Sequence, residues 1–465
     1  MSRLIVISNR VQAPTANESG AQGGLAVALT AALREADGIW FGWSGEIGDT
    51  SELRFRTYDG VTSATIDLLE QDVEEYYDGY ANRTLWPLFH YRLGLSEFER
   101  DFQGGYERVN RVFGTVIGPH IEPDDLIWVH DYHMIPLGWV LRQQGLTNRM
   151  GFFLHIPWPP TRLLAALPEH RRLVDSLFAY DLVGFQNDEW LETFHDYVVT
   201  EMGGVIGDNG DVTVGNRTIR AIACPIGIDA REFLAGVESS QARETHKRMV
   251  ESSAGRSLIV GVDRLDYSKG LEERFNGYQR YLETRPDAHA QVYLLQIAPP
   301  SRVEVESYQD IRAQLDSLSG RINGAFADID WVPLRYVNQG YSRSVLAGIY
   351  RAAQVGLVTP LRDGMNLVAK EYVAAQDPAD PGVLILSRFA GAAAQLNQAL
   401  LVNPYSPDDI ADAIEHALRM PLEERIERWR QLYDNILHED VIWWRKRFID
   451  ALMEVEPARW RAHAS

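Results

Sequence analysis

The stretch from Thr359 to Glu371 reads TPLRDGMNLVAKE. The residues before it, Val355 to Thr359, form a short apolar run that suits a strand buried on both faces of a parallel sheet. The residues after it, Leu367 to Gln376, are good helix formers with no breaker among them. Between the two lies a polar loop carrying Asp363, Gly364 and Asn366. A strand that feeds a helix through such a loop leaves backbone N–H groups free at the helix start, off the carboxyl end of the sheet. Open α/β folds bind phosphates there. Glu371 lies one turn beyond Leu367, where a carboxylate is an awkward neighbour for a diphosphate and a good acceptor for sugar hydroxyls. Most such junctions in a doubly wound sheet are only structural, so this stretch sets the fold class, α/β, and leaves function open.

The same pattern recurs on both sides. Ser257 to Val262 reads as a strand delivering Asp263-Arg264-Leu265-Asp266-Tyr267-Ser268-Lys269-Gly270, followed by a helix from Leu271 to Glu283. Arg264 and Lys269 thus share one strand-to-helix loop, and two cations beside helix N–H groups make a diphosphate clamp that needs no metal. Solvated surface cations are the plainer alternative. Val292 to Ile297 is another strand, ending in a stiff two-proline turn that presents Arg302. Val383 to Ser387 is one more, with a small-residue turn after it.

The first half opens with a strand at Leu4 to Ser8, then Arg10 and a loop closing at Gln22-Gly23-Gly24, which fits neither the dinucleotide fingerprint nor a P-loop. Leu126 to Val129, Gly151 to Leu154 and Asp181 to Phe185 also read as strands. The first of these delivers His130-Asp131-Tyr132-His133, and the second presents His155 before a proline-rich turn. His130 and His133 have metal-ligand spacing but no Cys or Glu-x-x-His partner, so a polar cluster at a strand end is the better reading. Asp328 and Asp330 spell an acidic pair of the kind that holds a divalent ion, but they lie far in sequence from the phosphate loops. The aromatic segment around Trp86 reads as ordinary core.

Composition bounds the rest. A chain of 465 residues is too long for one ordinary domain. A formal charge of −20 argues against nucleic-acid and anionic-membrane partners, so an anionic substrate must be gathered by local cations. The single cysteine, Cys224, permits no internal disulfide and fits a reducing compartment. No apolar run reaches the length of a membrane span, which predicts a soluble, cytoplasmic protein.

At this point the motifs NRV, GGLAVAL, WFGWSGE, LWPLFHYR, HDYH, GFFLHIPWPP, VDRLDYSKG, QIAPPSR and TPLRDGMNLVAKEYVAAQ, in that order from Ser2 to about Ala451, resemble the trehalose-6-phosphate synthase family. The resemblance implies a retaining glycosyltransferase of GT-B architecture, with two Rossmann-like doubly wound parallel-sheet domains facing a central cleft. The boundaries it suggests are 1–232 for an acceptor-side domain, 233–445 for a nucleotide-sugar domain and 446–465 for a C-terminal helix returning to the first. The implied reaction moves glucose from a nucleotide-glucose, most often UDP-glucose, to glucose 6-phosphate, giving α,α-trehalose 6-phosphate.

Carried over motif by motif, Arg264 and Lys269 hold the donor diphosphate, joined by backbone at Gly23, Gly24 and Leu367. Glu371 takes the ribose hydroxyls. Asp363, His155 and the loop Gly364, Met365 and Asn366 fix the donor glucose, with Val368 beside them. Arg10, Tyr77 and Arg302 make the acceptor phosphate site. Asp131 binds the acceptor sugar, while Trp86 and Ile156 shape anomer selection. The catalytic set is therefore Asp131, His155, Arg264, Lys269 and Asp363, with no metal and no cofactor. Tyr341 stands near the expected base, where close relatives often carry Phe, which leaves uracil, guanine and adenine open. A homo-oligomer, dimer or tetramer, is expected. No phosphatase domain is expected within the chain. Two alternatives remain: glycerol 3-phosphate as acceptor, or an inactive regulatory homologue.

Overall fold

A computed structural model describes residues 3–11, 29, 33, 37–58, 60–302 and 305–456. The chain divides into two compact units, residues 1–225 with 442–465, and residues 226–441.

The first unit is built on a ten-stranded sheet among the described residues. Its strands are β1 (Leu4–Arg10), β2 (Ile39–Ile47), β3 (Arg54–Tyr58), β4 (Val61–Leu68), β5 (Leu126–His130), β6 (Met150–Phe153), β7 (Leu182–Phe185), β8 (Val205–Ile206), β9 (Asp211–Val214) and β10 (Arg217–Ala223). They lie in the order β3-β4-β2-β1-β5-β6-β7-β10-β9-β8. The run from β4 to β10 is parallel, and β3, β9 and β8 add antiparallel edges. β5 and β6 are buried along their whole length, as their near-continuous apolar sequence requires. The motif WFGWSGE, which the sequence left without an element, lies in β2.

The helix Val441–Glu454 packs on this sheet. Trp444, Phe448 and Leu452 are fully buried, and Phe448 stacks on Trp128 with ring centroids 4.7 Å apart. Gly151 and Gly184 make room for it: a Cβ at either would come within 2.8 Å of the Phe448 ring.

Among the described residues the second unit holds a six-stranded, wholly parallel sheet of β11 (Ser257–Val262), β12 (Val292–Ile297), β13 (Leu334–Val337), β14 (Val355–Val358), β15 (Val383–Ser387) and β16 (Leu400–Val402). Its order is β13-β12-β11-β14-β15-β16. Chain order reverses between β11 and β14, and in the first sheet between β1 and β5. At such a reversal the connections leave in opposite directions and open a crevice at the strand carboxyl ends, where open α/β sheets bind ligands. The two-sheet α/β expectation holds. Among the described residues no helix is long and apolar enough to cross a membrane.

Candidate active site

In the second unit the loops that follow β11 and β14 meet. Gly270 closes the first at φ +62°, and a Cβ there would sit 2.1 Å from the Thr359 carbonyl oxygen. Only glycine meets both demands. The contact lets the Leu361 N–H donate to the Ser268 carbonyl at 2.8 Å, stitching the two loops together. Lys269, nine-tenths buried, then reaches Asp363, its Nζ 2.6 Å from Oδ2. The same Asp363 oxygen accepts from Asn366 Nδ2 at 2.9 Å, and Oδ1 accepts from the Gly364 N–H at 2.9 Å. Asn366, at φ +62°, caps the helix Leu367–Ala375 by accepting from the Ala369 N–H. Asn tolerates this left-handed geometry because its amide finds local partners. From the far side the Gly391 and Ala392 N–H groups hold the carbonyls of Gly364 and Met365 at 2.7 and 2.9 Å. The loop is thus fixed, with its helix N-terminus at the crevice.

One turn on, Glu371 lies 3.4 Å from Arg343. Burial pushes its carboxyl above the usual range, and Arg343 partly offsets that. Arg264 stands exposed at the head of the β11 loop, and Tyr341 is exposed too. Met365 is buried, whereas Leu367 and Val368 are half-buried. Arg302, at φ +48°, turns its guanidinium toward Asp266 and Tyr308, with Nη1 3.5 Å from Asp266 Oδ2. Asp328 and Asp330 lie on an exposed turn before β13, at the opposite end of the sheet from these loops, where Asp330 pairs with Arg256.

Sequence reasoning passed over Arg274. In LEERFNGYQRY it reads as a solvated helix cation, yet it is fully buried. Its guanidinium donates to Asp263 Oδ2 at 2.8 Å, Gln296 Oε1 at 2.8 Å and Thr359 Oγ1 at 3.0 Å, tying together the ends of β11, β12 and β14. No local pattern signals this, because every partner is a long-range one.

In the first unit the ends of β1, β5 and β6 come together. Asp131 occupies φ +74°, ψ 166°, a region almost reserved for glycine. It is pinned there by its N–H donating to the Phe153 carbonyl at 2.8 Å and by Oδ1 accepting from the His155 N–H at 3.2 Å. His155 Nε2 lies 3.0 Å from His130 Nδ1, and its Nδ1 lies 3.4 Å from Gln186 Nε2. Burial holds both imidazoles neutral, His155 down to about 3 and His130 well below its ordinary value, and at His130 the neighbouring His155 opposes protonation further. The Gln186 amide turns its Nε2 toward Nδ1, and the orientation of that amide sets which ring nitrogen of His155 carries the proton. His130 therefore serves His155, and His133 instead lies against the rings of Tyr132 and Tyr77, at 3.9 and 6.1 Å.

Arg10 lies over the ring of Trp43 at 5.1 Å, and Trp43 meets Tyr77 edge-on at 5.3 Å, so Trp43 joins two predicted phosphate ligands. The guanidinium passes where a side chain at Gly45 would stand. Tyr77 belongs to an unusually wide helical winding, Val73–Leu85, whose Tyr76 hydroxyl donates to Asn9 Oδ1 at 2.7 Å. Trp86 and Ile156 are both buried; Trp86 packs 5.8 Å from the ring of Tyr132, beside Asp131. Gly23 and Gly24 lie outside the described residues.

Two Rossmann-like sheets, each presenting polar loops at a topological reversal, define the GT-B class of glycosyltransferase. The chain belongs to glycosyltransferase family 20, whose model matches residues 2–454. It is 50% identical to the trehalose-6-phosphate synthase of Sinorhizobium fredii, covering 97% of this chain and 98% of that one. Among solved structures it resembles an α,α-trehalose-phosphate synthase (UDP-forming) from Burkholderia xenovorans in complex with glucose-6-phosphate, with 47% identity, a TM-score of 0.93, and 97% and 100% of the two chains covered. It also resembles an E. coli structure bound with UDP-2-fluoro glucose, with 45% identity, a TM-score of 0.94, and 98% and 100% covered.

Proposed function

We propose that the protein is a retaining glucosyltransferase that moves glucose from UDP-glucose to C1 of glucose 6-phosphate, forming α,α-trehalose 6-phosphate and UDP. The observation that carries this reading is the buried Lys269–Asp363 pair, locked by Asn366 beside a helix N-terminus at the β11/β14 reversal. A cation, a carboxylate and open N–H groups in one place suit a diphosphate joined to a sugar. Relatives with a donor analogue and with the acceptor bound support the same pairing of substrates.

In this reading Arg264, Lys269 and the Leu367 N–H take the diphosphate, Asp363 the donor glucose and Glu371 the ribose. Cleavage of the glucose–phosphate bond builds positive charge at the anomeric carbon and negative charge on the leaving diphosphate. Cations fixed beforehand on that diphosphate stabilise the transition state more than the ground state. Burial keeps His155 neutral, so its role in this reading is that of a hydrogen-bonding group toward the donor glucose. Arg10, Tyr77 and Arg302 take the acceptor phosphate, and Asp131 the acceptor sugar. The acceptor proton passes to the leaving phosphate oxygen on the same face of the sugar, which retains configuration without a protein nucleophile. A glucosyl-enzyme trapped in a mass spectrum would sink that step. The protein works as a homo-oligomer in the cytoplasm.

The deciding experiment is nucleotide release with EDTA present. UDP-, GDP- and ADP-glucose are each paired with glucose 6-phosphate, glycerol 3-phosphate or glucose. Release from UDP-glucose with glucose 6-phosphate alone is expected. Release only with glycerol 3-phosphate, or none in any pairing, overturns the proposal.

A further inference from the structure

The first unit contains a cavity of about 540 Å³ between the helices Arg100–Ile117, Leu137–Gln143 and His170–Leu177. Its size falls in the ~300–1,000 Å³ range of small-molecule sites. Tyr80 and Tyr106, both buried, line it with rings 4.5 Å apart, and Trp139 contributes another aromatic surface. Around these rings stand the side chains of Gln103, Gln143 and Gln144 and the ion pair Glu107–Arg172, 2.9 Å apart. Charges of both signs line the space: Glu107, Glu169 and Asp175 against Arg111 and Arg172.

That balance discriminates between ligand classes. A phosphate or carboxylate ligand wants an excess of cations, as the β11 loop supplies, and here carboxylates are in the majority. A purely apolar ligand would strip water from the amides and the ion pair without replacing it, at a cost for each. Aromatic faces with planar amide, carboxylate and guanidinium edges match a molecule with apolar ring faces and a rim of hydroxyls. The volume leaves room for more than one sugar ring.

The cavity is also wired to the Asp131 loop. Tyr106, in its wall, donates its hydroxyl to the Tyr132 carbonyl at 2.6 Å, and Asn110 of the same helix donates to the His133 carbonyl at 3.1 Å. Tyr80 shares the winding Val73–Leu85 with Tyr76 and Tyr77, and so reaches the end of β1 as well. A ligand that moves either ring moves backbone beside Asp131 or the side chain of Tyr77.

We infer that this cavity is an effector site for a neutral disaccharide, coupled to acceptor binding through Tyr106 and Tyr80. The effect on catalysis rests on the acceptor assignment above; binding does not. Coupling of this kind is reciprocal, so acceptor and effector must shift each other's affinity by one factor.

The test is isothermal titration of the full chain with trehalose, with maltose and with inorganic phosphate, alone and with saturating glucose 6-phosphate and UDP, alongside acceptor KM measured with and without disaccharide. Trp139→Leu and Gln143→Ala serve as cavity variants, both outside the proposed catalytic set. Expected are saturable binding of at least one disaccharide, a loss of tenfold or more in that affinity with Trp139→Leu, and a disaccharide-dependent change in acceptor KM that both variants remove while basal kcat stays as it was. No saturable binding overturns the site. Binding that survives both variants and is displaced by glucose 6-phosphate also overturns it, by locating the sugar at the acceptor position. Tighter Trp139-dependent binding of inorganic phosphate than of either disaccharide overturns the ligand class. If Trp139-dependent binding occurs in a protein that releases no nucleotide, the site stands and the transferase reading falls.

Discussion

Asp131 is held in a backbone conformation that costs a non-glycine residue about 1–3 kcal/mol. That strain persists because Phe153 and His155 fix it from the neighbouring strand. Asp131→Gly and Asp131→Asn therefore separate two roles. Both are expected to lower kcat/KM at least a hundredfold, since both lose the carboxylate. Gly should melt higher than Asn by an amount matching about 1 kcal/mol, because it alone relieves the backbone; equal melting points would refute the strain. The sequence located this residue at a strand end but could not reveal its φ, which is imposed by β6, a separate strand.

Lys370 is a second case at this scale. It is fully buried, donating to the Ile226 carbonyl at 2.9 Å and to Gln395 Oε1 at 2.7 Å, and burial brings it from 10.5 down to about 7. Below about pH 7 folded and unfolded chains are both protonated there, and the penalty for the buried charge is constant. Between about 7 and 10.5 the unfolded chain binds more protons, so this residue's contribution to stability rises with pH. The stability of the wild type relative to Lys370→Met should therefore grow from pH 7 to pH 10 in urea unfolding. A difference that stays flat would mean an ordinary lysine.

Among the elements, the loop after β14, proposed to hold the donor, depends on the close approach of the β11 and β14 connections. Gly270→Ala must place a Cβ on the Thr359 carbonyl in a left-handed conformation that itself costs about 1–2 kcal/mol. The expected result is a loss of at least about 2 kcal/mol in the second unit and a raised donor KM with a smaller effect on acceptor KM. An unchanged donor KM would show that the loop holds without this contact. Much of this region was legible beforehand. Buried parallel strands announce themselves as apolar runs, so β11, β12, β14 and β15 were found within a residue or so, and the loops after them followed. What stayed hidden was whatever tertiary partners decide. The wide winding at Val73–Leu85 has no periodicity that a helix template matches, and Arg274 looks like any exposed cation until its three partners are placed around it. Trp43 was quoted within a motif, yet its place between Arg10 and Tyr77 needs β2 beside β1.

For the whole molecule, a net charge of −20 sits with two anionic substrates only because the cations are placed locally. The expected two-sheet plan came from the repeated strand, polar loop and helix order. The ten-stranded breadth of the first sheet did not, because its antiparallel edges β3, β8 and β9 are short or exposed and carry weak apolar patterns. The first unit is also discontinuous, since Phe448 fills the space left by Gly151 and Gly184. Phe448→Ala is expected to cost this unit about 3–5 kcal/mol. A loss below 1 kcal/mol in denaturant titration would show the socket to be dispensable.

That socket bears on how the protein is made. Residues 226–441 must leave the ribosome after the first sheet is complete and before the helix that covers it, which at about 5–20 residues per second is roughly 10–45 s. For that interval the nascent sheet presents Trp128 and Phe153, the rings that Trp444 and Phe448 later cover, to solvent, an adhesive face during birth. The portion synthesised earliest is thus sealed latest, and a chaperone that shields aromatic surfaces has a defined window in which to act.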